Sequence, residues 1–251
     1  MDTKTLKAAM VAYMKKHGLD VDPMIMDADV WGEAAKKNAW RISTHAGWKP
    51  STAKTQRLIN LVASYAPKPP APLFPIHHDY HAVHSSGTRA LSQVHLVVLH
   101  DMEVTAYNTA AEAVGRYFEM AASGGSTNYG VDNDSIQQYL GLEVIPWGAP
   151  YANTQGVHIE QMGVASWTGD QWRTKAKGTL QRTAWLSAHL SKVLGIPLRK
   201  LSDAQVRANV KGVTTHAQCT RVFGGSHTDP GPGYPIDYVL GLARGYAAKG
   251  V

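Results

Sequence analysis

Three segments far apart in the chain carry side chains that could do chemistry. Val97-Val98-Leu99-His100-Asp101 ends an apolar, strand-like run on a histidine. Val213-Thr214-Thr215, a second strand-like run, leads into His216. Ser226-His227-Thr228-Asp229-Pro230-Gly231-Pro232-Gly233 sets a carboxylate ahead of prolines and glycines that stiffen the backbone and could aim it. Two imidazoles and a carboxylate make a plausible open zinc site, because a catalytic zinc keeps three protein ligands and leaves one position for water. Each residue also has an ordinary reading: a structural histidine satisfied by its neighbours, or an aspartate closing an Asx-turn. There is no short cysteine knuckle, so spacing by itself does not prove a metal.

Glu160 adds to the case. Gly156-Val157-His158-Ile159-Glu160-Gln161-Met162-Gly163 alternates as a strand does. The alternation predicts His158, Glu160 and Met162 on one face and Val157, Ile159 and Gln161 on the other. A glutamate on a half-buried strand costs free energy unless it is exposed, paired or working. As a general base it could take a proton from an attacking water at the metal and pass it to a leaving amine. His77, His78, His81 and His84 form a second histidine cluster, but in a polar, loop-like stretch where composition is only a hint of metal binding. Trp147, Tyr151, Trp167 and Trp172 could line a cleft or fill the core. Cys219, although close to His216, reads as a small buried apolar residue.

The elements that must position these residues follow from composition and periodicity. A chain of 251 residues, 44% hydrophobic, can hold one large domain or a large and a small one. The formal charge of +6 and the pI near 9.3 favour an anionic partner: nucleic acid, a membrane surface or an acidic wall polymer. Lysines and arginines are scattered, and no helix shows a basic stripe with interleaved aromatics, which speaks against nucleic acid. A single cysteine forbids an intramolecular disulfide. No run approaches the ~20 apolar residues of a membrane span. Ala8 to Met14 is short and meets Lys15-Lys16, which suits an amphipathic helix better than a secretory signal.

Residues 1–66 read as a small helical unit of unknown role. Leu6, Met10, Tyr13 and Met14 recur at helical spacing, and a second helix is predicted over Ser51–Tyr65. Trp31, Trp40 and Trp48 read as core rings of that unit, and Asp20, Asp22, Asp27 and Asp29 as a solvated acidic patch. The Pro-rich stretch from Pro67, over residues 67–75, reads as a semi-rigid linker. From there strands and helices alternate: strand Val94–Leu99, helix Thr109–Ala122, a hairpin turning on Asp132-Asn133-Asp134-Ser135, strand Val157–Met162 and one long helix Trp172–Leu194. The predicted architecture is α/β, a central mixed sheet flanked by helices, behind a small helical N-terminal domain.

From about residue 92 to 246 the chain resembles the type 2 N-acetylmuramoyl-L-alanine amidase family, which includes phage endolysins, bacterial muropeptide amidases and peptidoglycan recognition proteins. The Val97-Val98-Leu99-His100 strand resembles the family's first ligand strand. Ser126-Thr127-Asn128-Tyr129-Gly130-Val131-Asp132-Asn133-Asp134 resembles its hairpin, which usually reads Ser-x-His-aromatic. Gly156 to Gly163 resembles its Gly-Ile-Glu strand, and His216 with Ser226-His227-Thr228-Asp229-Pro230-Gly231-Pro232 resembles its closing signature. The resemblance implies Zn2+ held by His100, His216 and Asp229, with Glu160 as the catalytic acid/base in a domain spanning 76–251. It implies that His227 stands where relatives often carry a lysine that polarises the substrate carbonyl. Asn128 replaces the usual hairpin histidine and receives no catalytic role, and Thr127 lies near the place of a tyrosine found in some relatives. The implied reaction is hydrolysis of the amide joining N-acetylmuramic acid to L-alanine in bacterial peptidoglycan. A monomeric phage endolysin, held in the host cytoplasm until another protein opens the membrane, is the expected setting, with no stable membrane insertion. The alternative is a non-catalytic peptidoglycan-binding protein. Relatives of that kind lack a ligand, whereas all three ligand candidates and Glu160 are present here.

Overall fold

The computed structural model describes residues 3–19, 39, 42, 46, 62 and 73–251. The chain divides into two compact units, Met1–Ala71 and Pro72–Val251. In the first, helix α1 (Thr3–Lys16) buries Leu6, Ala9, Met10, Tyr13 and Met14 in one cluster with Ile42 and Val62. Lys15 and Lys16 in its last turn complement the negative end of the helix dipole. Gly18, at φ +65°, then turns the chain so that Leu19 N–H donates to the Met14 carbonyl at 2.9 Å. Apart from Val62, the predicted helix over Ser51–Tyr65 lies outside the described residues, as do Trp31, Trp40, Trp48, the four aspartates and the stretch 67–72.

The second unit is built on a five-stranded mixed sheet, as expected. Its strands are β1 (Leu96–Leu99), β2 (Tyr129–Val131), β3 (Ile136–Gln138), β4 (Gly156–Gln161) and β5 (Gly212–Thr215). Their order is β3-β2-β4-β1-β5, antiparallel only between β2 and β3. β1 is an interior strand, paired with β4 and β5, and all four of its residues are buried, which is why it reads as an unbroken apolar run. Val97 and Leu99 join Val157, Ile159 and Val213 in the main core. That core is completed by helices α2 (Ala110–Phe118), α3 (Gly169–Lys175), α4 (Lys177–Leu194) and α7 (Ile236–Ala248). Leu96 and Val98 face the other way, into a smaller cluster with Val206 of α5 (Asp203–Arg207) and Cys219 and Val222 of α6 (His216–Phe223).

Three local expectations are corrected. The strand of Glu160 ends at Gln161, and Met162 turns into the main core with Val157 and Ile159 instead of sharing the Glu160 face. The helix expected to reach Ala122 stops at Phe118, because the Phe118 carbonyl accepts its hydrogen bond from Val83 N–H at 3.0 Å. The helix predicted over Trp172–Leu194 is broken at Ala176 (φ −111°, ψ 30°). One side chain in the β2–β3 turn makes that break: Asn133 Nδ2 donates to the Lys175 carbonyl at 3.0 Å, while its Oδ1 accepts from Thr179 N–H at 2.9 Å. The amide thus satisfies the end of α3 and the start of α4, where helix polar groups have no partner of their own.

Gly178 lets that turn close in, since a Cβ there would lie 2.3 Å from the Asn133 carbonyl oxygen. Alanine normally favours a helix over glycine by roughly 1 kcal/mol. Here the backbone contact is expected to reverse the sign: Gly178→Ala should lower stability by about 1–3 kcal/mol, read as a reduced urea midpoint at unchanged slope.

Candidate metal centre

The strand register assembles the site. Leu99 pairs with Ile159 on one side and Thr215 on the other. One residue further, Glu160, His100 and His216 stand in a row at the carboxyl ends of β4, β1 and β5, where neighbouring strands are about 4.8 Å apart. Sites in open α/β sheets form at such strand ends. His100 is anchored by its backbone N–H to the Ile159 carbonyl at 2.9 Å, and its carbonyl accepts from Gln161 Nε2 at 2.8 Å. His216 opens α6, capped by Thr215 Oγ1, which accepts from Gln218 N–H at 3.2 Å.

Asp229 comes from the loop after α6. Its carbonyl accepts from Ala217 N–H at 2.8 Å, and a cis peptide follows it at Pro230. Gly231 then takes φ +81°, and a Cβ there would lie 1.9 Å from the Ala165 carbonyl oxygen, so the turn requires glycine. The carboxylate is aimed between the two imidazoles: Oδ2 is 3.2 Å from His100 Nδ1, and Oδ1 is 3.1 Å from His216 Nδ1. The rings of His100 and His216 lie 4.6 Å apart. One ligand atom from each of the three residues lies within 4.8 Å of the others, and among the described residues no other such group occurs.

The chemistry of the donor set fits a zinc ion. Metal binding needs neutral imidazoles and an ionised carboxylate. Burial holds the His100 imidazole below its ordinary pKa, against the pull of Asp229. Burial would push Asp229 up, yet its hydrogen bonds and charge interactions with His100 and His216 hold it well below the usual carboxylate range. Two nitrogens and one oxygen at a buried centre suit zinc, with room for a fourth position.

Glu160 faces this group, its Oε1 3.9 Å from His100 Nδ1. Its Oε2 is buried with no hydrogen-bond partner among the described residues. Burial, reinforced by the charges of Asp229 and Asp101, raises its proton affinity well above that of an ordinary glutamate. His227 is the exposed member of the set, with a side chain 60% accessible. It stacks on His216 with centroids 4.1 Å apart, and its Nδ1 is 3.6 Å from Asp229 Oδ1. These residues form the floor of a cleft of about 550 Å³ walled by Tyr117, Ser126, Thr127 and Trp147.

The remaining candidates separate cleanly. Trp147 is 43% exposed on the cleft wall, whereas Trp167 and Trp172 are core residues and Tyr151, 73% exposed, is not part of the wall. Cys219 is buried, which pushes its thiol up to about 11. His77, His78, His81 and His84 form no metal-holding group; His84 instead stacks on Trp147 with centroids 4.6 Å apart. Asn128 is buried, and its Nδ2 donates to the Gly141 carbonyl at 3.0 Å, a structural position away from the reacting centre. Sequence reasoning passed over His158. Its Nδ1 lies 2.9 Å from His100 Nε2, a proximity that becomes visible only through the register Val98↔His158.

The sequence profile of the N-acetylmuramoyl-L-alanine amidases (Amidase_2) matches residues 90–232, a span holding every residue of this centre. No curated protein matches the chain by sequence. Among solved structures, the Staphylococcus aureus hydrolase AmiA in complex with its ligand superposes with a TM-score of 0.55 at 16% identity, over 78% of this chain and 92% of that one. A mutant endolysin from Bacillus subtilis superposes at 0.47 with 19% identity, over 69% of this chain and 99% of that one. The N-acetylmuramoyl-L-alanine amidase LysC from Clostridium intestinale superposes at 0.44 with 11% identity, over 68% and 97%. With more than half of its length under that profile, the chain belongs to the N-acetylmuramoyl-L-alanine amidase family and is a hydrolase of that class.

Proposed function

We propose that the protein is a zinc-dependent phage endolysin that cuts the amide between N-acetylmuramic acid and L-alanine in bacterial peptidoglycan. The observation that carries this reading is the convergence of His100, His216 and Asp229 beside Glu160 at the floor of an open cleft. These three residues would hold the ion. When bound, zinc supplies Lewis acidity toward the scissile carbonyl and toward water.

Glu160 takes the proton of the attacking water and returns it to the L-alanine nitrogen as the bond breaks, one carboxyl serving first as base and then as acid. His227, on the solvent side of His216, donates a hydrogen bond to the developing oxyanion, the role a lysine has in many relatives. The exposed face of Trp147 lies where a sugar or peptide enters. The net charge of +6 suits a wall rich in phosphate and carboxylate. In this reading the domain from residue 76 onward acts as a monomer, follows a Pro-rich linker, and stays in the host cytoplasm until lysis. No helix among the described residues is long and apolar enough to cross a membrane. A non-catalytic wall-recognition protein would have no use for a carboxyl of raised proton affinity facing three ligand side chains.

Digestion of purified walls tests the reaction. The expected products are intact glycan chains bearing free lactyl groups and stem peptides with a new L-alanine amino terminus. A chelator should abolish their release, and added zinc should restore it. Cleavage between sugars, or activity indifferent to chelation, would overturn the proposal. Two substitutions separate the roles. Glu160→Gln should lower turnover by roughly 10²–10⁴-fold while zinc content, measured by elemental analysis, stays near one ion per chain. His216→Ala should lose both zinc and activity.

A further inference from the structure

His158 sits behind the metal centre, fully buried, and nothing in the reaction described above uses it. Its ring makes two contacts. Nδ1 lies 2.9 Å from His100 Nε2, and Nε2 lies 3.4 Å from the Ala152 carbonyl oxygen. A carbonyl only accepts, so the proton of a neutral His158 belongs on Nε2, and Nδ1 is left as an acceptor. His100 must then donate from Nε2, and its own Nδ1 is left with a free lone pair. That nitrogen is the one directed at Asp229.

The opposite arrangement would be unproductive. If His158 carried its proton on Nδ1, two lone pairs would face each other at Ala152. His100 would then accept at Nε2 and hold its proton on Nδ1, which could bind Asp229 but no metal. We propose that His158 is a positioning residue: the chain His100 to His158 to the Ala152 carbonyl holds His100 in the tautomer that offers Nδ1 as a ligand. This inference rests on the zinc reading given above.

The surroundings of the ring are built for it. A Cβ at Gly148 would lie 2.6 Å from His158 Nδ1, and a Cβ at Gly156 would lie 2.6 Å from Nε2. Two glycines therefore make the slot in which the ring lies. Asn128 Oδ1 accepts from the His158 backbone N–H at 3.1 Å. The loop that presents the Ala152 carbonyl is also tied down: Asn153 Oδ1 accepts from the N–H groups of Gly148 and Ala149 at 3.0 and 2.7 Å. Arg89 Nη1 donates to the carbonyls of Asn153, Thr154 and Gly156 at 2.7, 3.0 and 2.7 Å. The two ring contacts go to an imidazole and a backbone carbonyl.

Partners behind a ligating histidine set its orientation and basicity, and their loss typically weakens metal binding about 10–100-fold. Zinc affinity, measured by competition with a chromogenic chelator, should therefore fall about 10–100-fold in His158→Leu. His158→Asn places an amide oxygen near the position of Nδ1 and should retain most of the wild-type affinity. Long-range 1H–15N spectra of the zinc-loaded wild type should show both His158 and His100 protonated on Nε2. An Nδ1 proton on His158, or equal zinc affinity in wild type and His158→Leu, would overturn the proposal. Should His158→Leu fail to fold, the spectra and the asparagine variant still decide. Wild-type protein that binds no zinc would refute the metal reading itself and this inference with it.

Discussion

A carboxylate wedged between two buried imidazoles is the constraint around which the second unit is organised. Removing an ionised Asp229 from water costs several kcal/mol unless positive charge or hydrogen-bond donors meet it. His100 and His216 flank it at 3.1–3.2 Å with the ring nitrogens that would share the ion with it. Two neutral imidazoles and one carboxylate still leave a net negative cluster. Glu160 and Asp101 add further carboxyls at the same cleft. A divalent cation at the centre would offset that charge, and it is the ion the proposed chemistry calls for.

Three independent backbone devices deliver the three side chains. Parallel pairing places His100 beside His216 because Leu99 is opposite Thr215. A slip of one residue would send each histidine to the other face of the sheet, since side chains alternate. The Thr215 cap starts α6 on His216 itself. The Gly231 turn, pressed on the Ala165 carbonyl, returns Asp229 to the same point from the far end of that helix. The main core behind β1, β4 and β5 supplies the stiffness, and the site lies at the rim where that packing ends.

What the sequence made legible was whatever depends on local pattern. An apolar run ending on His100, a strand leading into His216, and the stiff segment after Asp229 each marked its residue. Alternation along β4 placed Glu160 with His158. What escaped was set by contacts across the chain. The break at Ala176 answers to Asn133, more than forty residues away. Met162 looked like a continuation of β4 but left the sheet, because period-two alternation carries no information about where a strand stops. His158 had no visible partner, since its partner is defined by pairing between β1 and β4.

The residues behind the ligands form a set in which each choice constrains the others. The slot for an imidazole at position 158 exists only because Gly148 and Gly156 carry no side chain. The backbone N–H of that histidine is met by Asn128 of the segment leading into β2. Asn128 makes a pair of contacts there, its Oδ1 accepting from the His158 N–H and its Nδ2 donating to the Gly141 carbonyl. Asn128 thus ties the His158 backbone to the segment around Gly141. An isolated change at position 128, 148 or 156 would disturb His158 first and His100 through it, reaching the proposed metal centre without touching any of the three residues that would hold the ion.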